Sequence, residues 1–217
     1  MDSSGSLHEE GFSKQKDFIK AIAETLDLSP SDSQIGVITY SDKASVEIKF
    51  SDYQYEEDLV DAVDTLQYNG KTTRIDKAIA MATKELMTPG GGRREDIPGV
   101  MVILTDGRQT PDSDTTPLEE AAANLETLGV KTLVVGIGEL ADKKELQKMT
   151  MRDADVFLTL SLQLLPSVVQ PVATRICEVA GTCRILCYVN VEARCWSLML
   201  CPYIRHFTSY CLFPSKV

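Results

Sequence analysis

The chain has 217 residues, 43% of them hydrophobic and 25% charged, with a formal net charge of −10. That length suits one ordinary domain with an appendage, and the composition excludes a disordered or collagen-like chain. The acidic balance argues against a nucleic-acid partner, because duplex binding needs basic side chains to displace counterions.

The predicted elements alternate in kind. Phe18, Ile19, Ile22, Ala23 and Leu26 recur at helical spacing, predicting a helix over 13–27. A short buried strand is expected at Ile35–Tyr40. A second follows at Val46–Phe50, where alternation with Glu47 and Lys49 suggests an edge strand with one wet face. Helices are expected over 55–67 and 74–87, a loop at Pro89–Gly92, and a continuous apolar strand at Val100–Leu104. A helix over 117–128 should stop at Gly129. It is followed by a strand at Val130–Ile137, a helix over 142–149, a strand at Val156–Leu158 and a last helix over 161–176. Strands that are apolar on both faces and alternate with helices predict a doubly wound, mostly parallel α/β sheet with helices on both faces. Such folds bind ligands at the carboxyl ends of their strands.

Three polar clusters fall at those ends: Asp2-Ser3-Ser4-Gly5-Ser6, Lys71-Thr72-Thr73 and Thr105-Asp106-Gly107. They offer two carboxylates and several hydroxyls, with no thiolate or imidazole. Hard oxygens of this kind suit Mg²⁺, Mn²⁺ or Ca²⁺ rather than zinc or copper.

The series D-x-S-x-S, T-x-x-x-x-A-[IL] and L-T-D-G resembles the metal-ion-dependent adhesion site of von Willebrand factor A-type domains. Here it is carried by Asp2, Ser4 and Ser6, by Thr73 ahead of Ala78-Ile79, and by Asp106 after Leu104-Thr105. Gly36-Val37-Ile38-Thr39-Tyr40-Ser41 and Val134-Val135-Gly136-Ile137-Gly138 add to the likeness, which covers residues 2–177 and is strongest to extracellular-matrix members such as matrilins and the A domains of collagens. The resemblance implies an adhesion module rather than an enzyme, secreted to the extracellular space. It implies a divalent cation held by Asp2, Ser4, Ser6, Thr73 and Asp106, the carboxylates acting directly or through water. It also implies an acidic residue of a matrix partner, such as collagen or another adhesion protein, completing the ion's coordination, and coupling between the site and the last helix. Ile75 stands where many members carry a second threonine.

Other motifs carry less. Gly70-Lys71-Thr72 invites a phosphate-loop reading, but Thr65 stands where the first glycine is required and a helix precedes it instead of a strand. His8 and His206 have no neighbouring nucleophile, so acid–base catalysis has no support. Arg93-Arg94 is expected at a solvated loop tip. No stretch approaches the roughly 18 apolar residues of a membrane span, and Asp2 and the Ser/Gly run after Met1 are not a secretory leader.

Composition changes near Cys177. All six cysteines (Cys177, Cys183, Cys187, Cys195, Cys201 and Cys211) lie from there onward, without the paired spacing of a zinc site. Residues 178–217 are therefore read as a tail of unknown, non-native character, dispensable for fold and site. Cys177 itself stands where the family often places a closing cysteine, whose partner would precede the first strand. The family also runs an apolar central strand into its D-x-S-x-S loop, and here only Met1 precedes Asp2. The chain is accordingly expected to lack its first central strand, as a fragment of a longer protein would. Two competing classes remain open at this stage: an intracellular A domain of an ATP-driven, chelatase-like assembly, and a structural A domain whose metal site is unused.

Overall fold

A computed structural model describes residues 1–26, 28–150 and 152–181. Contacts divide the chain into two compact units, Met1–Ile185 and Leu186–Val217, and the described residues all belong to the first. The expectations for the tail beyond Gly181, including five of the six cysteines, lie outside the described residues.

Among the described residues the strands are β1 (Val37–Tyr40), β2 (Ala44–Ile48), β3 (Gly99–Thr105), β4 (Val130–Ile137) and β5 (Val156–Thr159). The α-helices are α1 (His8–Thr25), α2 (Glu56–Asp64), α3 (Ile75–Met81), α4 (Leu118–Thr127), α5 (Lys143–Gln147) and α6 (Val169–Ala180). β3, β4 and β5 form a parallel three-stranded sheet in that order, while β1 and β2 form a separate antiparallel pair. The α/β class is as expected, but the strands form two sheets with an open edge on each.

β4 shows why the fold is doubly wound. Leu133, Val135 and Ile137 pack with Phe18, Ile22, Val172 and Ala173 of α1 and α6. Val130 and Val134 pack on the opposite side, with Ile79 of α3 and Leu125 of α4. Successive side chains on a strand point to opposite faces, so helices on both sides demand an apolar residue nearly everywhere. Each fully buried aliphatic of this kind contributes about 1.5–3 kcal/mol.

Several element boundaries differ from the predicted ones. α1 starts at His8, well before residue 13, because Phe12 and Gln15 continue its buried face behind the polar run His8–Glu10. Gly11 permits that start, since a Cβ there would sit 2.9 Å from a Leu7 methyl and 3.1 Å from one of Leu162. The last helix is divided: Leu162–Val168 is a 3₁₀ helix containing Pro166, and α6 follows. Pro166 has no N–H to donate and disfavours a helical residue before it. α6 runs to Ala180, past Cys177, which is buried and disulfide-bonded. Pro89–Gly91, expected as loop, is a short 3₁₀ turn capped by the Thr88 side chain. Gly129 has φ 69° directly after α4, the left-handed end expected there.

Arg93 and Arg94 are half-buried rather than at a solvated tip. Arg93 donates to the Leu128 carbonyl at 3.0 Å, and Arg94 to the carbonyls of Pro30 and Asp32. No described helix is long and apolar enough to cross a membrane.

Candidate functional site

The three polar clusters meet at the carboxyl ends of β1 and β3. Residues 1–3 run alongside β1: Tyr40 N–H donates to the Met1 carbonyl at 3.1 Å, and Ser3 N–H donates to the Tyr40 carbonyl at 2.7 Å. This pairing carries Asp2 into the interior, fully buried. Gln15 of α1 fixes its backbone from the other side, accepting from Asp2 N–H at 2.8 Å and donating to the Asp2 carbonyl at 2.7 Å.

From Asp2 a chain of side-chain contacts leads outward. One Asp2 oxygen accepts from Ser4 N–H at 2.9 Å and the other from the Thr105 hydroxyl at 2.9 Å. The Ser4 and Ser6 hydroxyls lie 3.1 Å apart, and Ser6 donates to Asp106 at 3.0 Å. Asp2 and Ser4 are buried, Asp106 is intermediate and Ser6 is exposed, so the cluster opens toward solvent on the Ser6–Asp106 side. Four of the five sequence-predicted residues are thus brought together directly.

Thr73 reaches the same place through its backbone. Gly5 N–H donates to the Lys71 carbonyl at 2.7 Å, and Thr110 N–H to the Thr73 carbonyl at 2.8 Å. The 71–73 segment therefore lies between the serine loop and the loop after β3. Thr73 is buried, and among the described residues no hydrogen bond joins its side chain to the other four.

The negative charge at the site is offset only in minor part, by the Met1 amine near Asp2 and by His8 near Asp106. Burial raises the Asp2 carboxyl above its usual range, against hydrogen bonds from Ser4 and Thr105 that lower it. Burial also raises Asp106, and the negative charge of Asp2 raises it further. Neither carboxylate has a salt-bridge partner among the described residues, whose bridges all lie elsewhere. No group of three or more His, Cys, Asp or Glu placed to hold a metal ion is found among them either. Two carboxylates and neutral hydroxyls, with no lysine or arginine paired to them, fit a hard divalent cation with few anionic ligands.

A buried ion pair supports the middle loop, and sequence reasoning missed it. Arg74 donates to both oxygens of Asp76, at 2.9 and 2.8 Å, and to Asp114 at 2.7 Å. Asp76 also accepts from Thr116 N–H at 3.0 Å, while Asp76 N–H donates to Gln109 at 2.7 Å. Burial pushes the Asp76 carboxyl up, but the bonds from Arg74 and Thr116 outweigh it and hold the carboxyl below its usual range. The pair thereby pins residues 109–116 against the start of α3, directly after Thr73. Opposite charges two residues apart at the head of an apolar helix were the available signal. For Gln15 it was a polar residue on the apolar face of α1.

His8, which follows the serine loop, has φ 54°. A non-glycine residue in the left-handed region is uncommon and strained.

Comparison with known proteins gives consistent relatives. The family model described as the von Willebrand factor type A domain matches residues 1–170. Human Matrilin-3 is 32% identical over 152 residues, 69% of this chain and 30% of that protein. The human Collagen alpha-6(VI) chain is 27% identical over 184 residues, 85% of this chain but 8% of that protein. The chain therefore spans under a third of these relatives. Proximal thread matrix protein 1 from the mussel byssus superposes with a TM-score of 0.76 at 22% identity, over 82% of this chain and 46% of that one. Another structure of that mussel protein has a zinc-occupied metal-ion-dependent adhesion motif; its TM-score is 0.74 at 21% identity, over the same shares.

Proposed function

Because the chain belongs to the von Willebrand factor type A domain family, we propose that it is a divalent-cation-dependent binding module of an extracellular matrix or adhesion protein, and not an enzyme. The observation that carries this reading is the convergence of Asp2, Ser4, Ser6 and Asp106 in one hydrogen-bonded cluster whose carboxylates have no salt-bridge partner among the described residues. Ser4, Ser6 and Thr73 would hold Mg²⁺, Mn²⁺ or Ca²⁺ with neutral oxygens, and Asp2 and Asp106 would balance its charge. An ion so held supplies an electrophilic position that accepts a carboxylate oxygen from outside. Asp2 anchors the cluster to β1, Thr105 orients the Asp2 carboxylate, and the Arg74–Asp76 pair keeps the Thr73 segment beside it. Exposure of Ser6 leaves the outer side open to a partner's acidic side chain.

Relatives that are matrix proteins support a secreted, extracellular setting over an ATP-driven intracellular assembly. Collagen is the partner to test first. The assay is attachment of the chain to immobilised collagen in Mg²⁺, in Mn²⁺ and after chelation. Attachment that is lost on chelation, restored by Mn²⁺ and absent in Asp106→Ala is expected. Attachment that survives chelation unchanged would contradict the reading.

A further inference from the structure

On the divalent-cation reading above, we propose that Glu145 is a positioning residue of the same site: its carboxylate holds the loop that carries Asp106, without itself meeting the ion. Glu145 stands in the first turn of α5, and one of its oxygens accepts from Gln109 N–H at 3.0 Å. Its other oxygen lies 3.5 Å from Arg108 Nε. Arg108 donates in turn to Asp142 at 2.6 Å, and the second Asp142 oxygen accepts from Lys144 N–H at 2.9 Å, capping α5. The residues two and three positions past Asp106 are thus tied to one short helix.

Asp106 depends on such a tie. Among the described residues no helix or strand runs between Thr105, the end of β3, and Leu118, the start of α4. A Cβ placed on Gly107 would meet no described atom within 4 Å, so packing does not hold the chain just past Asp106. The Asp106 carboxylate accepts from Ser6, but that bond is exposed and water competes for it. Its place is therefore set by whatever fastens the loop. On one side Thr110 N–H donates to the Thr73 carbonyl and Gln109 accepts from Asp76 N–H. On the other side stands α5.

α5 is a firm post for this purpose. Leu146, next to Glu145, is buried, and a Cβ on Gly136 of β4 would lie 2.5 Å from one of its methyls. Leu146 therefore sits directly on Gly136, which is the register partner of Thr105. The post and the strand that delivers Asp106 share one level of the sheet. A carboxylate accepting from a backbone N–H makes a strong, charge-assisted bond. The Glu145 side chain is 21% exposed and that of Arg108 66%, so the Gln109 bond is the larger part of the hold and the solvated Arg108 pair the smaller.

Calorimetric titration of Mn²⁺ into the full chain tests the assignment, with Glu145→Ala, Glu145→Gln and Asp106→Ala beside the parent. Hydrogen exchange of segments 107–111 and 130–137 is followed in the same proteins without added cation. Glu145→Ala should bind Mn²⁺ at least about tenfold more weakly, with exchange faster at 107–111 and unchanged in β4. Glu145→Gln keeps an oxygen for Gln109 N–H and loses only the charge, so it should stay within about threefold of the parent. Should Glu145→Ala also lose protection in β4, Glu145→Asp takes its place. One methylene too short to reach, it should bind several-fold more weakly with β4 intact. Equal affinity in Glu145→Ala and the parent, with Asp106→Ala weaker, overturns the positioning role and leaves the cation reading standing. Glu145→Gln as weak as Glu145→Ala overturns it too, because the carboxylate would then act by its charge at a distance. Affinity that falls only together with β4 protection overturns it as a general loss of fold. Asp106→Ala equal to the parent removes the cation reading itself, and the positioning role with it.

Discussion

β1 and β3 are joined at one end and separated along the rest of their length. At the loop end the Tyr40 hydroxyl donates to the Leu104 carbonyl at 2.7 Å, and Thr105 at the end of β3 donates to Asp2. A few residues earlier the same two strands face each other across a cavity. β4, paired on both sides, buries Leu133, Val134 and Val135 completely, whereas Gly99–Val102 of β3 are only half-buried. Two equally apolar strands thus differ because one has a neighbour on each edge. The polar end does not share the defect: no buried side-chain nitrogen or oxygen among the described residues lacks a hydrogen-bond partner. A cluster built from local turns and short bonds holds its shape beside a core that is open.

The largest effect is expected at the polar end. Arg74 and Asp76 side chains are each only 3% exposed, and removing one partner of a buried pair costs about 3–5 kcal/mol. Arg74→Ala should lose that much in urea unfolding, while the double change Arg74→Met with Asp76→Leu should lose far less. If the single and double variants lose equally, the pair is not what holds the 109–116 loop.

The two strands can be set against each other directly. Leu133→Ala in β4 should cost about 2–5 kcal/mol, the range for a filled core site. Val102→Ala in β3, on the open edge, should cost less than about 1 kcal/mol. Equal losses would mean that β3 is as well packed as β4 in solution.

The pH response should separate the carboxylates. Asp2 and Asp106 have raised pKa values in the folded chain, so they bind protons more tightly folded than unfolded. Their contribution is complete below the ordinary carboxylate range and is lost as pH rises through the raised values. Asp76 is lowered, so its contribution is present above the ordinary range and is lost as pH falls. Without cations, Asp106→Asn should therefore raise the thermal midpoint at pH 7 and leave it unchanged at pH 3, as thermal melts across that range will show. A midpoint that falls at pH 7 would mean the Asp106 charge is already compensated.

The smallest effect concerns His8. Glycine adopts its φ of 54° without strain, so His8→Gly should gain about 0.5–1 kcal/mol in chemical unfolding.

Much of this was legible in the sequence, for identifiable reasons. Strands β3 and β4 are continuous apolar runs between helices, and a strand buried on both faces has no other way to appear. Asp2, Ser4, Ser6 and Asp106 stand at strand ends, where a parallel sheet gathers its loops. Gly129 announced the end of α4 by its conformational freedom. What could not be read depended on partners distant in sequence. The role of Gln15 is set by Asp2, and that of Arg74 by Asp76 together with Asp114. Pro166 was visible, yet the predicted helix was carried through it, because the apolar spacing on either side stays in phase. The expected gap beside the central strands was inferred from a family likeness, and the residues that line it came only with the coordinates.

The central claim is that Asp2, Ser4, Ser6, Thr73 and Asp106 act together on a single divalent cation. Calorimetric titration of Mn²⁺ into the chain tests it most directly, with Ser6→Ala, Asp106→Ala and, as a control away from the cluster, Asp17→Ala. The account predicts one ion per chain, bound at least about tenfold more weakly after either cluster substitution and unchanged after Asp17→Ala. Equal affinity in all four proteins would contradict it.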